Sequence, residues 1–143
     1  MTTPHRTVST FRARYAETDQ MGVVYHSHYL VWCEIGRTDF LRSLGRTYAE
    51  LEREGVYLAV TEARIRFLAP ARYDDEIRVE TWIERVQSRA VTFGYEIGRV
   101  APSPPARLAL ATTTLVALDV RGTPMRLPPD LLQLLRGAAT PSP

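Results

Sequence analysis

The stretch RYAETDQMGVVYHSHY, from Arg14 to Tyr29, gathers two carboxylates, two histidines and three tyrosines around one glycine. Polar crowding of this kind is costly in a core unless every group is paired. The chemistry these residues could do is hydrolysis of an activated acyl group such as a thioester. That reaction needs a group that attacks or activates water, donors for the carbonyl oxygen and room for the acyl chain. Asp19 can serve as nucleophile or general base. Gly22 permits backbone conformations closed to other residues and lets a substrate approach closely. A helix beginning near Tyr25–His26 presents unpaired N–H groups and a positive dipole end. Aimed at a carbonyl oxygen that gains charge in the transition state, such groups form an oxyanion hole. Plainer readings stand beside these. Asp19 fits an Asx turn or helix cap, and Gly22 an ordinary turn. His26 and His28 fit a helix surface, and Tyr25 and Tyr29 fit packing.

The elements that must position this stretch follow from periodicity. TVSTFRARY, Thr7 to Tyr15, alternates and predicts a strand. A helix is expected from Ser27 to Leu44. Tyr29, Trp32, Cys33, Gly36, Phe40 and Leu44 fall on one face, Leu30 and Leu41 at its border, and Gly45 is the stop. The small residues at 33 and 36 suit close packing on a sheet. Thr47 and Glu50 have capping-box spacing for a second, short helix that ends at Gly55. VYLAVTEARIRFLAPARY then predicts a strand with Ala59, Thr61, Ala63, Ile65 and Phe67 on one face. EIRVETWIERV, AVTFGYEIGRV and ARLALATTTLVALDV predict three more long strands, the last two joined by the proline-rich APSPPA. LPPDLLQLLRG reads as a closing helix with Gly137 after it, and AATPSP as a frayed end. The order is α+β, with one antiparallel sheet and one long helix to cover it. One helix is too little cover for such a sheet, so a homo-oligomer is expected.

Composition narrows the function classes. The chain has 143 residues, 45% of them hydrophobic and 24% charged, and a net charge of +2. These values suit one soluble domain, with a core over about residues 7–120 and an extension over 121–143. The 18 basic residues are all arginine and are interspersed with acids. That spacing argues against a nucleic-acid-binding stripe. No apolar run is long enough for an integral membrane segment, and the N-terminus has no signal-like apolar stretch. A cytoplasmic location is therefore expected. The one cysteine, Cys33, excludes an intrachain disulfide and reads as a small packing residue. No metal-ligand spacing is present, and no cofactor is expected.

The segment RYAETDQMGVVYHSHYLVWCEIGRTDFLRSLG closely resembles the signature of the hotdog-fold acyl-CoA thioesterases of the 4-hydroxybenzoyl-CoA thioesterase/YbgC-like superfamily. That signature, (D/E)-T-D-x-x-G-(V/I)-V-(Y/F/W)-x-x-x-Y, is met by Glu17, Thr18, Asp19, Gly22, Val23, Val24, Tyr25 and Tyr29. ARIRFLAPARYDDEIRVET and SRAVTFGYEI are similar to the family's later strands, so the likeness spans roughly residues 7 to 120. It implies a hotdog fold, with about five antiparallel strands wrapped around one long helix, assembled as a homodimer or homotetramer. It also implies that Asp19 is the catalytic carboxylate and that the His26 backbone N–H polarises the thioester carbonyl. The His26 side chain is a second possible participant. Tyr25 would shape the pocket or orient Asp19, with Val24, Gly22 and Tyr29 beside the substrate. Glu17 stands where many relatives have Asp and is expected to play a supporting part. The implied acyl pocket lies at the dimer interface. Coenzyme A carries phosphates, so Arg72, Arg89 and Arg64 are candidates at its mouth, each also readable as a solvated strand arginine. The substrate is then an acyl-CoA, or an acyl-carrier-protein thioester, hydrolysed without a cofactor. Two other functions fit the fold: a dehydratase or hydratase, which uses a different arrangement of acids and histidine, and a non-catalytic acyl-CoA or acyl-carrier binding protein, which would not need Asp19.

Overall fold

A computed structural model describes residues 4–102 and 104–139. Its elements run β1 (Thr7–Arg12), a 3-10 turn (Tyr15–Glu17), α1 (His28–Ser43), α2 (Tyr48–Arg53), β2 (Tyr57–Phe67), β3 (Glu76–Val86), β4 (Ala90–Ala101), β5 (Ala106–Leu118) and α3 (Pro129–Ala138). The five strands form one antiparallel sheet in the order β1-β3-β4-β5-β2. Alternation does what it should in the central strands. Ile77, Val79, Thr81 and Ile83 of β3, and Val91, Phe93, Tyr95 and Ile97 of β4, are buried on the face that α1 covers. Helix α1 buries Tyr29, Trp32, Cys33, Gly36, Phe40 and Leu41 against β1, β3 and β4. Gly36 is the point of closest approach: a Cβ there would collide with Thr81 Oγ1 and reach 3.0 Å from Val79 Cγ1. This is the hotdog arrangement, a curved sheet around one long helix.

The short helix α2 is capped as its sequence predicts. The Thr47 N–H donates to Glu50 Oε1 at 2.9 Å, and the Glu50 N–H donates to Thr47 Oγ1 at 3.1 Å. Several expectations are corrected. β1 ends at Arg12 rather than Tyr15, because Ala13 turns to bond Asp75 and Tyr15–Glu17 coils into the 3-10 turn. β2 slips by one residue between Val60 and Glu62. The register puts Leu58, Val60, Ala63, Ile65 and Phe67 on the helix-facing side and moves Ala59 and Thr61 off it, the effect of one extra residue in a strand. Leu30 is exposed. Gly137 lies inside α3 rather than after it. The proline-rich turn joins β4 to β5, with residue 103 outside the described residues. The end AATPSP is ordered at its start, since Ala138 is buried in the last turn of α3, and residues 140–143 lie outside the described residues.

Helix α1 packs mainly on β1, β3 and β4, which leaves Val60 and Phe67 on the inner face of β2 exposed. A groove bordered by the N-terminal half of α1 and by β2 is the consequence.

Candidate active site

The loop from Thr18 to Ser27 is folded by its own backbone. Asp19 accepts the Gly22 N–H on its carbonyl (3.0 Å) and donates its N–H to Val23 (2.9 Å). Its Oδ1 accepts the Met21 N–H at 2.8 Å, an Asx turn. Gly22 sits at φ +79°, a conformation that favours glycine and closes the turn. The returning strand forms a bridge from Val24 to Thr18, and the Val24 N–H donates to Ala71 O at 2.8 Å. The Tyr25 N–H is taken by Glu17 O at 2.9 Å. Helix α1 then starts at His28, with Ser27 as its N-cap residue. Among the described residues, the His26 and Ser27 N–H groups have no hydrogen-bond partner in the protein. The free donors are thus at His26 and Ser27, immediately before the first turn of α1.

A cavity of about 330 Å³ opens beside them. Val24, His26 and Tyr29 line one side, and Phe67, Ala69 and Pro70 from the end of β2 line the other. The His26 and Phe67 rings meet edge to face at 6.4 Å, Tyr29 and Phe67 at 5.0 Å, and the Tyr25 and His26 rings are 4.3 Å apart. Tyr29 is buried, and its hydroxyl accepts the Ala71 N–H at 3.3 Å. Burial raises the Tyr29 pKa, although the Ala71 hydrogen bond works the other way. The cavity is therefore apolar and aromatic, with two backbone donors at its rim.

The structure brings Val24, His26 and Tyr29 together in the wall of this cavity. Asp19 and Gly22 lie in the adjoining turn, outside the wall, with the second carboxylate oxygen of Asp19 free of protein partners among the described residues. Tyr25 is half exposed against the His26 ring. His28, read as a surface residue, is half buried. Arg72 is exposed on the loop that follows the cavity wall, where its N–H donates to Asp75 Oδ2 at 2.8 Å. Arg89 sits in the turn between β3 and β4, and eleven residues of β3 separate it from the site, about 35 Å. Within one chain it is not brought to the cavity. Arg64 lies on the outer face of β2, opposite Thr112, and pairs with Glu62 at 3.7 Å.

Two acids matter more to this geometry than their sequence signal suggests. Glu17 is buried; its Oε1 accepts the Arg14 N–H at 2.7 Å and its Oε2 accepts Trp32 Nε1–H at 3.0 Å. That carboxylate ties the loop to α1. Asp75 is also buried, holding the Arg72 backbone and facing Arg99 at 3.7 Å. The carboxylate-rich turn YDDE offered a hint of its role. No group of three or more His, Cys, Asp or Glu is placed to hold a metal ion among the described residues. Nor is any described helix long and apolar enough to cross a membrane.

Comparison with known proteins identifies the family. The model of the thioesterase-like superfamily matches residues 13–135. YneP of Bacillus subtilis, by name a candidate acyl-CoA thioesterase, is 38% identical over 116 residues, covering 80% of this chain and 81% of that protein. A chloroplastic acyl-acyl carrier protein thioesterase of Arabidopsis thaliana is 32% identical over 84% of this chain and 62% of its own length. The crystal structure of a DHNA-CoA thioesterase from Staphylococcus aureus superposes with a TM-score of 0.86 at 29% identity, covering 92% of this chain and 89% of that one. The chain belongs to the thioesterase-like superfamily and is a thioester hydrolase.

Proposed function

We propose that this protein hydrolyses an acyl-CoA thioester to the free carboxylic acid and coenzyme A. The observation that carries the reading is the pair of unpartnered N–H groups at His26 and Ser27, beside an apolar cavity and next to the Asp19 turn. The thioester oxygen would accept the His26 N–H, which stabilises the charge that oxygen gains as the carbon is attacked. Asp19 either attacks the carbon itself or takes a proton from the water that does. In both routes a water oxygen ends on the acyl carbon, the C–S bond breaks, and the sulfur leaves and collects a proton. Tyr25, stacked on His26, orients this edge of the site, and Gly22 keeps it open.

The acyl chain would lie along the apolar groove between α1 and β2. Arg72, exposed beyond the cavity wall, is placed to meet phosphates of coenzyme A. Arg89 could do so only from a second copy. Assembly as a homodimer or homotetramer would cover the exposed inner face of β2, and a cytoplasmic location suits a coenzyme A substrate. An acyl-carrier-protein thioester is the second substrate form, favoured by the relative from Arabidopsis. Release of free thiol from a panel of acyl-CoAs of varied chain length tests the reading. Thiol release with at least one acyl group is expected, and no release with any of them would contradict it.

A further inference from the structure

Farther along α1, between that helix and β2, lies a second cavity of about 230 Å³. Its walls are largely apolar, with Leu30 and Val31 on α1 and Val60 and Ala63 on the inner face of β2, and α1 adds one carboxylate, Glu34. Its inner end is polar. Arg37 and Thr113 close it, and Arg37 is only 8% exposed. Burying a guanidinium is costly unless it is paired and fully hydrogen-bonded. Arg37 has one carboxylate beside it, Glu34, and holds it loosely. Its ion-pair partner Glu34 Oε2 stands 3.8 Å away, on a side chain that is 67% exposed. The buried hydroxyls of Tyr48 and Tyr95 lie against the Arg37 guanidinium and favour its charged form. The Tyr95 hydroxyl is also shared with Thr113 Oγ1 at 2.6 Å. A largely apolar cavity thus ends at a buried cation whose carboxylate partner, the mostly exposed Glu34, stands off at 3.8 Å and can be displaced by a second carboxylate.

We propose that this cavity is the distal end of the acyl site and that Arg37 binds a terminal carboxylate there, so that dicarboxylic half-thioesters are the preferred substrates. The inference rests on the hydrolytic reading above. His26 and Arg37 are eleven residues apart on the helix side of the groove, a rise of about 16 Å, and helical side chains lean back toward the N-terminus. A carbonyl held at the His26 N–H and a carboxylate held at Arg37 are therefore the two ends of one extended acyl group.

The test compares kcat/KM for succinyl-, adipyl-, suberyl- and sebacyl-CoA with butyryl-, hexanoyl-, octanoyl- and decanoyl-CoA. At the length that spans the groove, the ω-carboxy thioester should be favoured by about tenfold or more, the usual worth of a hydrogen-bonded charge pair. Arg37→Met keeps the bulk of the side chain and should abolish that preference, read as a kcat/KM ratio of ω-carboxy to plain thioester that falls to about one, mainly through a higher KM for the ω-carboxy substrate. Thr113→Val, a milder change, should weaken the preference without abolishing it. A wild-type preference for the plain acyl group at every length overturns the inference, even if Arg37→Met proves unstable. So does an equal loss on both substrates in Arg37→Met, which would make Arg37 a packing or subunit-contact residue. Hydrolysis of plain thioesters alone leaves the proposed function standing and removes only the carboxylate. Hydrolysis of neither series removes both.

Discussion

Asp19 shows how one side chain can satisfy a structural and a chemical reading together. Its Oδ1 holds the Met21 N–H in an Asx turn, which leaves the other oxygen for chemistry. An asparagine at 19 keeps the Oδ1 acceptor, so the turn should survive Asp19→Asn even as basicity and negative charge are lost. His26 separates backbone from side chain. If its N–H is the working part, His26→Ala should cost far less than the roughly 10²–10³-fold that loss of an oxyanion donor brings; steady-state kcat/KM decides. Cys33 is the opposite case, a residue with no part in the chemistry. Burial pushes its pKa up to about 12, with Arg37 working the other way. The thiol should resist iodoacetamide at pH 8 in the native protein and react fully in urea, and rapid native labelling would contradict this. Glu17 holds the loop to α1 through Trp32 and the Arg14 N–H. Glu17→Ala orphans both donors and should lower stability by about 2–4 kcal/mol, read as a lower urea midpoint at unchanged m.

At the scale of elements, packing of α1 on the sheet depends on a single missing methyl. Gly36→Ala would drive its Cβ into Thr81 and Val79 of β3, at a cost of about 1–3 kcal/mol in a urea melt. The helix was legible because its apolar spacing is regular, and β3, β4 and β5 because their inner residues alternate over most of each strand. Local chemistry also disclosed the Thr47–Glu50 capping box. What escaped reading depends on partners distant in sequence. β1 stops short because Ala13 turns to Asp75, sixty-two residues away. The bulge near Thr61 appears only in the register with β5. The burial of Arg37 had a signal, since 29, 33 and 37 share a helix face, but a charged residue there reads as solvated until Tyr48 and Tyr95 are seen around it. The Asp19-to-Tyr29 spacing predicted which residues would gather, and Val24, His26 and Tyr29 do meet. Arg89 did not follow, because the length of β3 carries it away.

For the whole molecule, two properties follow. The inner face of β2 and the adjoining side of α1 expose Val60, Phe67, Leu68, Leu30 and Val31 along an edge strand. Such an edge invites pairing with another strand, and the expected occupant is a second copy of this chain. Light scattering should give a dimer or tetramer, and Val60→Glu should shift it toward monomer; a monomeric wild type would contradict the assembly. The second property is sensitivity to alkali. Desolvation raises the pKa values of Tyr29, Tyr48 and Tyr95 above 10.0, and of Cys33 above 9.0. The unfolded chain therefore releases these protons first and binds fewer of them, so stability falls as pH rises from about 9. Each group adds a slope of about 1.4 kcal/mol per pH unit once its unfolded form is ionised. Urea midpoints at pH 8 and pH 10.5 should differ accordingly, and equal midpoints would contradict the burial.

The central claim is that Asp19, beside the free N–H groups at the start of α1, performs thioester hydrolysis. Thiol release by wild type and Asp19→Asn, on the best acyl-CoA and with folding checked by circular dichroism, tests it most directly. Loss of a catalytic carboxylate should lower kcat by about 10²–10⁴-fold in a folded protein. A folded Asp19→Asn variant that releases thiol at the wild-type rate would contradict the account.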